Sequence, residues 1–434
     1  MQRSMNIKVK GGQVLSGEIT PSGSKNSAVA LIPASIMFTT PVTLSNIPEI
    51  TDVVKLVAIL TKMGSRINWD KAQKTMTIDN SSLNFADLTP EDLGNIRGTS
   101  LLWGPMLARW KKISFAGLPG GCTLGFRTLE PHYEAFRDLG VKIDSGTQSV
   151  MMDASGAAPA DIWLKEMSPT ATENAVMLAS SLPGKTKING AASEPQVQDL
   201  CLFLQKAGVK ITGIGSSVLE VEGGMPLQPV EHKIFSDHYE IATYIALAAA
   251  TGGALRVNNA MPDLMRYINY VFSKFGVNIR YEGDTAIVDA GTKIVIHEED
   301  GRGLLSIKAQ PWPGLPVDTL PLFIPLAIAA EKGEVLFHNW MYDAGLFWTS
   351  ELLKLGANVV MGDPHRVMII AGNKLHGATL EAPYIIRAVV AMVMSAMIAE
   401  GESTILNAET LYRGHPDFSA KLLSLGASIE EFNS

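Results

Sequence analysis

Six side chains in this sequence have the type and setting to do chemistry on an anionic substrate. Cys122 lies in LPGGCTLGFR, where Pro119, Gly120, Gly121 and Gly125 make a flexible, exposed loop, with Arg127 five residues on. A thiol beside a fixed cation can have a lowered pKa and act as acid or nucleophile; an ordinary loop thiol has the same local sequence. TPSGSKNSAVALIPA places Ser22, Gly23, Ser24, Lys25 and Asn26 at a helix start. Backbone N–H groups there, with a lysine in the first turn, favour a phosphate or carboxylate. The glycine spacing is not that of a Walker loop, and a simple N-cap reads the same way. Arg97 heads the apolar helix of NIRGTSLLWGP, and Arg413 stands in LYRGHPDF. Arg387 interrupts PYIIRAVVAMVM with no acid beside it in sequence, so it is an anion ligand or half of a buried ion pair. Five cations drawn from different parts of the chain point to a site at a domain interface for a ligand with several negative charges. Cys201, by contrast, opens the amphipathic CLFLQKAG and reads as a core residue.

The elements that must position these residues repeat. TKMGSRI, RDLGVKI, QKAGVKI, SKFGVNI, LKLGANV and LSLGASI each run from an apolar, helix-like stretch through a glycine into a strand-like one. Their glycines are Gly64, Gly140, Gly208, Gly276, Gly356 and Gly426, and they divide the chain into six units of about 72 residues. Before five of them, by 18 or 19 residues, a strand ends at Asn46, Asn189, Asn258, His338 or Asn407. The odd unit ends its strand at Ala116, 24 residues before Gly140, and its extra length is the Cys122 loop. The spacing predicts strand, a helix of roughly four turns, a left-handed glycine cap, and strand again.

At 434 residues the chain is too long for one core, and three units to a domain is the natural division. A hydrophobic content of 46% with 18% charged residues describes a packed globular protein. The net charge of −7, with no basic stripe, argues against nucleic acid as partner, so an anionic ligand must be met by a local cation cluster. The longest apolar runs, such as 388–399, fall far short of the ~20 residues that span a bilayer. MQRSMNIKVKGGQ has no signal-peptide core, and two cysteines supply neither a disulfide framework nor metal spacing. The expected location is the cytoplasm.

Taken together, these segments resemble the enolpyruvyl transferases over nearly the whole chain, and most closely the branch that acts on UDP-N-acetylglucosamine at the start of peptidoglycan synthesis. SGSKNSA, NIRGTS, LPGGCTLGFR, SPTATENAVM, GAASEPQVQDL, PVDTLPLF and YRGH carry the resemblance. It implies an α/β fold, a two-domain inside-out barrel of six βαββαβ-type repeats, with residues 1–24 plus 236–434 in one domain and 25–235 in the other. The cleft between the domains would hold the site and close over it. The implied reaction adds the acceptor's 3-hydroxyl to C2 of phosphoenolpyruvate while C3 is protonated; phosphate then leaves. The resemblance calls for no cofactor, no metal and no obligate protein partner. Carried over by position, Lys25, Arg127 and Arg413 hold the phosphate, Arg387 meets the carboxylate, and Arg97 lines the anionic site. Asn26, Glu130, Ser168 and Trp340 belong to the substrate-binding set. Cys122 protonates C3 and is the thiol that fosfomycin alkylates, and Asp318 accepts the hydroxyl proton.

The chain departs from the family mainly on the acceptor side. Trp340 stands where the family has an arginine, Ile385 where it has an aspartate near the reacting centre, His238 where it has an arginine, Glu130 where aspartate is common, and Thr51 where lysine is common. Two readings remain: the usual acceptor in a rearranged pocket, or a different nucleotide-sugar acceptor. A non-catalytic UDP-sugar-binding paralogue also fits Ile385, but the joint presence of Cys122, Arg127, Lys25, Arg413 and Asp318 speaks against it. The shikimate-pathway synthase shares the fold but is not expected to carry the PGGC loop. RNA 3′-phosphate cyclase uses related units but calls for a basic surface.

Overall fold

The computed structural model describes residues 5–84, 88–89, 92, 97–116, 128–146, 149–298 and 303–433. Among them, residues 5–22 and 236–433 form one compact unit and residues 23–235 the other. The helices of the second unit, in chain order, are α1 (Lys25–Ala34), α2 (Thr51–Lys62), α3 (Trp103–Trp110), α4 (Glu130–Asp138), α5 (Pro169–Ala179) and α6 (Pro195–Lys206). They alternate in character. In α1 and α5 nearly every residue from the second turn on is buried, and α3 buries its first five, Trp103 to Leu107; these helices pack on one another at the centre. The helix α2 buries only a stripe, Val53, Leu56, Ile59 and Leu60, and lies outside.

The first unit is built the same way from α7 (His238–Thr251), α8 (Pro262–Ser273), α9 (Leu320–Ala329), α10 (Ile386–Ile398) and α11 (Phe418–Ser424). Here α7, α9 and α10 form the buried core, and α8, α11 and a 3₁₀ helix at Phe347–Leu355 are the outer elements.

All six repeat glycines have left-handed φ, between 73° and 101°. In every copy the glycine N–H bonds to the carbonyl three residues back, and the next N–H to the carbonyl five before itself. Gly64 to Thr61 and Ser65 to Leu60 are the first such pair, both 2.9 Å; Gly426 to Leu423 and Ala427 to Leu422 are the last, both 3.0 Å. This is a Schellman cap, which a residue with a Cβ adopts only under strain. The preceding helices are shorter than the four turns expected. Four have nine or twelve residues, that before Gly426 has seven, and that before Gly356 is 3₁₀ rather than α. Asn46 and Asn407, at two of the strand ends, are themselves left-handed, so the chain turns there before the helix begins.

Each cap feeds a small sheet. Asp161–Trp163 runs parallel to Gly184–Asn189 with α5 as the crossover, and Val218–Gly223 and Lys210–Thr212 complete the sheet as an antiparallel hairpin. Leu305–Lys308 and Glu334–His338 repeat the pattern around α9, and Thr379–Glu381 and Glu402–Leu406 around α10. Two sheets borrow their parallel edge from far along the chain: Val230–Lys233 joins Val42–Ser45, and Gly17–Ile19 joins Leu255–Val257. In the last sheet the amino-terminal strand Met5–Lys10 sits between Glu402–Leu406 and Ser428–Asn433.

No helix among the described residues is long and apolar enough to cross a membrane.

Candidate functional site

In the unit of residues 23–235, Lys25 is the first residue of α1. Ser24 caps that helix, its Oγ accepting from Ser27 N–H at 3.2 Å. Lys25 Nζ lies 2.9 Å from Asp52 Oδ2, and only 15% and 9% of the two side chains are exposed. Asp52 was not visible as a partner in sequence; its signal is an acid in the first turn of the outer helix of the same repeat. Asn26 follows Lys25 and is half-buried. Arg97 opens a 3₁₀ helix, Arg97–Leu102, that packs against α1. The approach is close: a Cβ on Gly98 would lie 2.6 Å from Val29 Cγ1.

Ser168 caps α5, accepting from Ala171 N–H. Its neighbour Thr170 is 3.2 Å from His132 Nε2, and His132 Nδ1 is 2.9 Å from Asn174 Nδ2. Asn174 Oδ1 accepts from Gly104 N–H at 2.7 Å, so the amide nitrogen must be the donor to His132. That leaves the imidazole proton on Nε2, donated to Thr170. Asn174 Nδ2 also reaches Ser100 O at 2.9 Å, inside the helix that Arg97 opens. One buried amide thus ties together the elements carrying Arg97, Ser168 and Glu130, which lies two residues before His132. Glu130 is on the surface and pairs with Arg137 of its own helix. Cys201 is fully buried, and burial, with Glu173 nearby, pushes its thiol up to about 12. Cys122 and Arg127 lie outside the described residues.

In the other unit, Arg387 stands in the first turn of α10, 5% exposed. The sequence shows no acid beside it, yet the fold supplies one. Its Nη2 is 3.8 Å from Asp237 Oδ1, its Nη1 is hydrogen-bonded to His415 Nε2, and the guanidinium sits 4.7 Å from the Tyr239 ring centroid. Asp237 is the N-cap of α7, the same oxygen accepting from Tyr239 and Glu240 N–H at 2.9 and 3.0 Å. Glu240 is fully buried and accepts from both Lys421 Nζ, at 2.9 and 3.0 Å, and the backbone of Ser22. Burial pushes its carboxyl up, but Lys421 above all, helped by His415, outweighs this and holds it at about 2. Sequence reasoning missed Asp237, Glu240, His415 and Lys421. The available signal was the acid pair three apart at a helix start in SDHYEI.

His238, in the place of a family arginine, is buried against Tyr239 and Trp312, with ring centroids 3.9 and 6.0 Å away. Among the described residues neither ring nitrogen has a hydrogen-bond partner, and burial pushes the imidazole down to about 4. It is therefore neutral and does not replace a guanidinium's charge. Arg413 ends the 3₁₀ helix Ala408–Arg413, with its guanidinium 4.9 Å from the Tyr384 ring centroid, in the segment leading to Arg387. Asp318 is half-buried in a 3₁₀ turn, Val317–Thr319, that runs into α9. Ile385 is the N-cap of α10 and packs against the apolar core. Trp340 is 54% exposed, but its Nε1 donates to Ala309 O at 2.7 Å, which fixes the indole in place.

The chain matches the family described as EPSP synthase (3-phosphoshikimate 1-carboxyvinyltransferase) over residues 9–422. It is 39% identical over 422 residues to the UDP-N-acetylglucosamine 1-carboxyvinyltransferase of Bradyrhizobium diazoefficiens, covering 97% of each chain. The enzyme of the same name from Treponema denticola is 38% identical, with 97% and 98% covered. Among solved structures, the enolpyruvyl transferase NikO from Streptomyces tendae superimposes with a TM-score of 0.86 at 22% identity, covering all of both chains. An EPSP synthase from Acinetobacter baumannii gives 0.73 at 17%, covering 99% and 100%. These two likenesses speak for the fold.

Proposed function

The chain belongs to the UDP-N-acetylglucosamine 1-carboxyvinyltransferases of the EPSP synthase family, and on that premise we propose that it transfers the enolpyruvyl group of phosphoenolpyruvate to the 3-hydroxyl of UDP-N-acetylglucosamine in the cytoplasm, releasing phosphate and committing the sugar to peptidoglycan. The observation that carries this reading is 39% identity sustained over 97% of both chains with an enzyme of that name.

Asp318 takes the proton of the acceptor hydroxyl as its oxygen bonds to C2, and Cys122 delivers a proton to C3. The ketal then loses phosphate as C3 gives a proton back and the double bond returns. Charge builds on the departing phosphate, which is where fixed cations lower the barrier; Lys25, Arg127 and Arg413 serve there, with Arg97 lining the same anionic site. Lys25 suits this work because the start of α1 adds backbone N–H groups to its ammonium. Arg387 holds the carboxylate, in a guanidinium already fixed by Asp237, His415 and Tyr239. Asn26, Ser168 and Glu130 serve the acceptor. No cofactor or metal enters the reaction.

Trp340 and His238 support a second reading, in which the acceptor is another nucleotide sugar, because an exposed indole and a neutral imidazole replace two cations. The test is phosphate release from phosphoenolpyruvate with UDP-N-acetylglucosamine and with no acceptor. Sugar-dependent release and a product heavier by one enolpyruvyl group establish the first reading. No release with that sugar, but release with another UDP- or nucleotide-linked sugar, establishes the second.

A further inference from the structure

We propose that His415 is the positioning residue for Arg387, presenting it to the carboxylate of phosphoenolpyruvate through one neutral tautomer. This rests on the reading of Arg387 as the carboxylate ligand.

A guanidinium has N–H donors and no acceptor. The Arg387 Nη1–His415 Nε2 bond therefore requires a lone pair on Nε2 and puts the imidazole proton on Nδ1. Nδ1 faces Glu240 Oε1 at 3.6 Å, the acceptor toward which that proton is drawn. An imidazolium would set N–H against N–H, so protonation and the Arg387 contact exclude each other. The ring is fully buried and braced by Phe418, with centroids 5.4 Å apart. It cannot rotate away without opening the core.

The charged groups that face it are Arg387 from α10 and Asp237 and Glu240 from α7; Lys421 from α11 pairs with that Glu240, and Tyr244 from α7 lies beside Glu240, Asp237 and Asp417, the N-cap of α11. Burial first, then Arg387, keeps the imidazole below its ordinary range against the pull of Glu240 and Asp237. The neutral form is thus the resident one near pH 7. With His415 on Nη1 and the Tyr239 ring on one face, the guanidinium has a single orientation. At 3.8 Å, Asp237 Oδ1 is beyond hydrogen-bond reach of Nη2, and the pair is an electrostatic one.

The experiment compares the enzyme with His415→Leu, which removes the acceptor, and His415→Gln, whose amide oxygen can take the place of Nε2. His415→Leu is expected to raise KM for phosphoenolpyruvate roughly 10- to 100-fold, the worth of a hydrogen bond to a charged group. Its KM for the acceptor sugar should change less than about twofold. His415→Gln should recover most of the loss, and the ratio of wild-type to Gln kcat/KM for phosphoenolpyruvate should fall below the ordinary histidine range, because only the wild-type acceptor is lost on protonation. Equal changes in both KM values, no change, or failure of Gln to rescue with a pH-independent ratio would overturn the assignment. If Leu does not fold, the Gln ratio against pH decides alone. If the wild type turns over no acceptor, the functional reading fails separately, and equilibrium dialysis of labelled phosphoenolpyruvate reads the same contrast among the three proteins.

Discussion

Lys25 and Asp52 form an ion pair 2.9 Å long, almost out of solvent, between the first turns of a central and an outer helix. The phosphate ligand proposed for this enzyme is thus already neutralised by a carboxylate in its own unit. Removing one charge of a largely buried ion pair is costly, so Asp52→Asn should destabilise the protein by about 2 kcal/mol, with some relief from the residual exposure of Lys25. The double variant Lys25→Ala/Asp52→Asn should lose less than the sum of the single losses, by about 1 kcal/mol or more. Urea unfolding of the four proteins measures this, and additive losses would show that the pair contributes nothing.

His238 gives a pH signature. Its folded value of about 4 lies below its ordinary 6.5, so the unfolded chain binds the proton more readily between those values. Stability from this group is full above pH 6.5 and is lost as pH falls toward 4, by about 3 kcal/mol in all. Glu240, held at about 2, adds a loss only below its ordinary 4.5. His238→Phe removes two buried ring nitrogens that lack partners among the described residues and keeps the ring. It should be neutral or stabilising at pH 7 and flatten the unfolding midpoint between pH 6.5 and 4.5. An unchanged slope there would assign the acid sensitivity elsewhere.

The two cysteines should react very differently. With its thiol pushed to about 12 and no exposed surface, Cys201 is expected to stay unlabelled by iodoacetamide at pH 7.5 until the chain is unfolded in urea. Cys122 should account for the single thiol labelled in the native protein, and Cys122→Ser should abolish both that label and turnover. Cys201→Ala should cost about 1 kcal/mol of stability and no activity. Mass spectrometry of labelled peptides separates the two sites.

Gly23 and Gly252 offer a controlled contrast. A Cβ at Gly23 would lie 1.7 Å from Asn46 O, a backbone atom that cannot step aside. A Cβ at Gly252 would meet none of the described residues beyond its own neighbours within 4 Å, and only the left-handed φ of 70° opposes it. Gly23→Ala should cost several kcal/mol, a clash in a packed interior, and Gly252→Ala about 1 kcal/mol, the strain of that φ alone. Similar melting temperatures for the two variants would contradict the close approach at Gly23.

Local rules read the repeat well because they act locally. A glycine cap needs only the residues around it, so all six glycines are recognisable in sequence and all six have the same bonds. Helix length was less legible, since it depends on where the preceding turn ends; left-handed Asn46 and Asn407 delay the start. The surroundings of Arg387 were illegible for a different reason. Asp237 and His415 come from segments 150 residues before and 28 after it, and no window of sequence joins them. Asn174 shows the same limit: a helix-interior amide in SPTATENAVM has no visible purpose until Ser100, Gly104 and His132 surround it.

The strand Met5–Lys10 lies between Glu402–Leu406 and Ser428–Asn433, and Gly17–Ile19 pairs with Leu255–Val257. During synthesis, therefore, Met5–Lys10 leaves the ribosome long before either strand it pairs with. The unit of residues 23–235 draws its strands from one uninterrupted stretch and can close while translation continues. The strand Met5–Lys10 stays unpaired until residues 402–433 have been made, an exposed edge in need of shielding. Birth order and folding order are inverted for this strand, and a nascent chain released short of residue 402 leaves Met5–Lys10 without either neighbour.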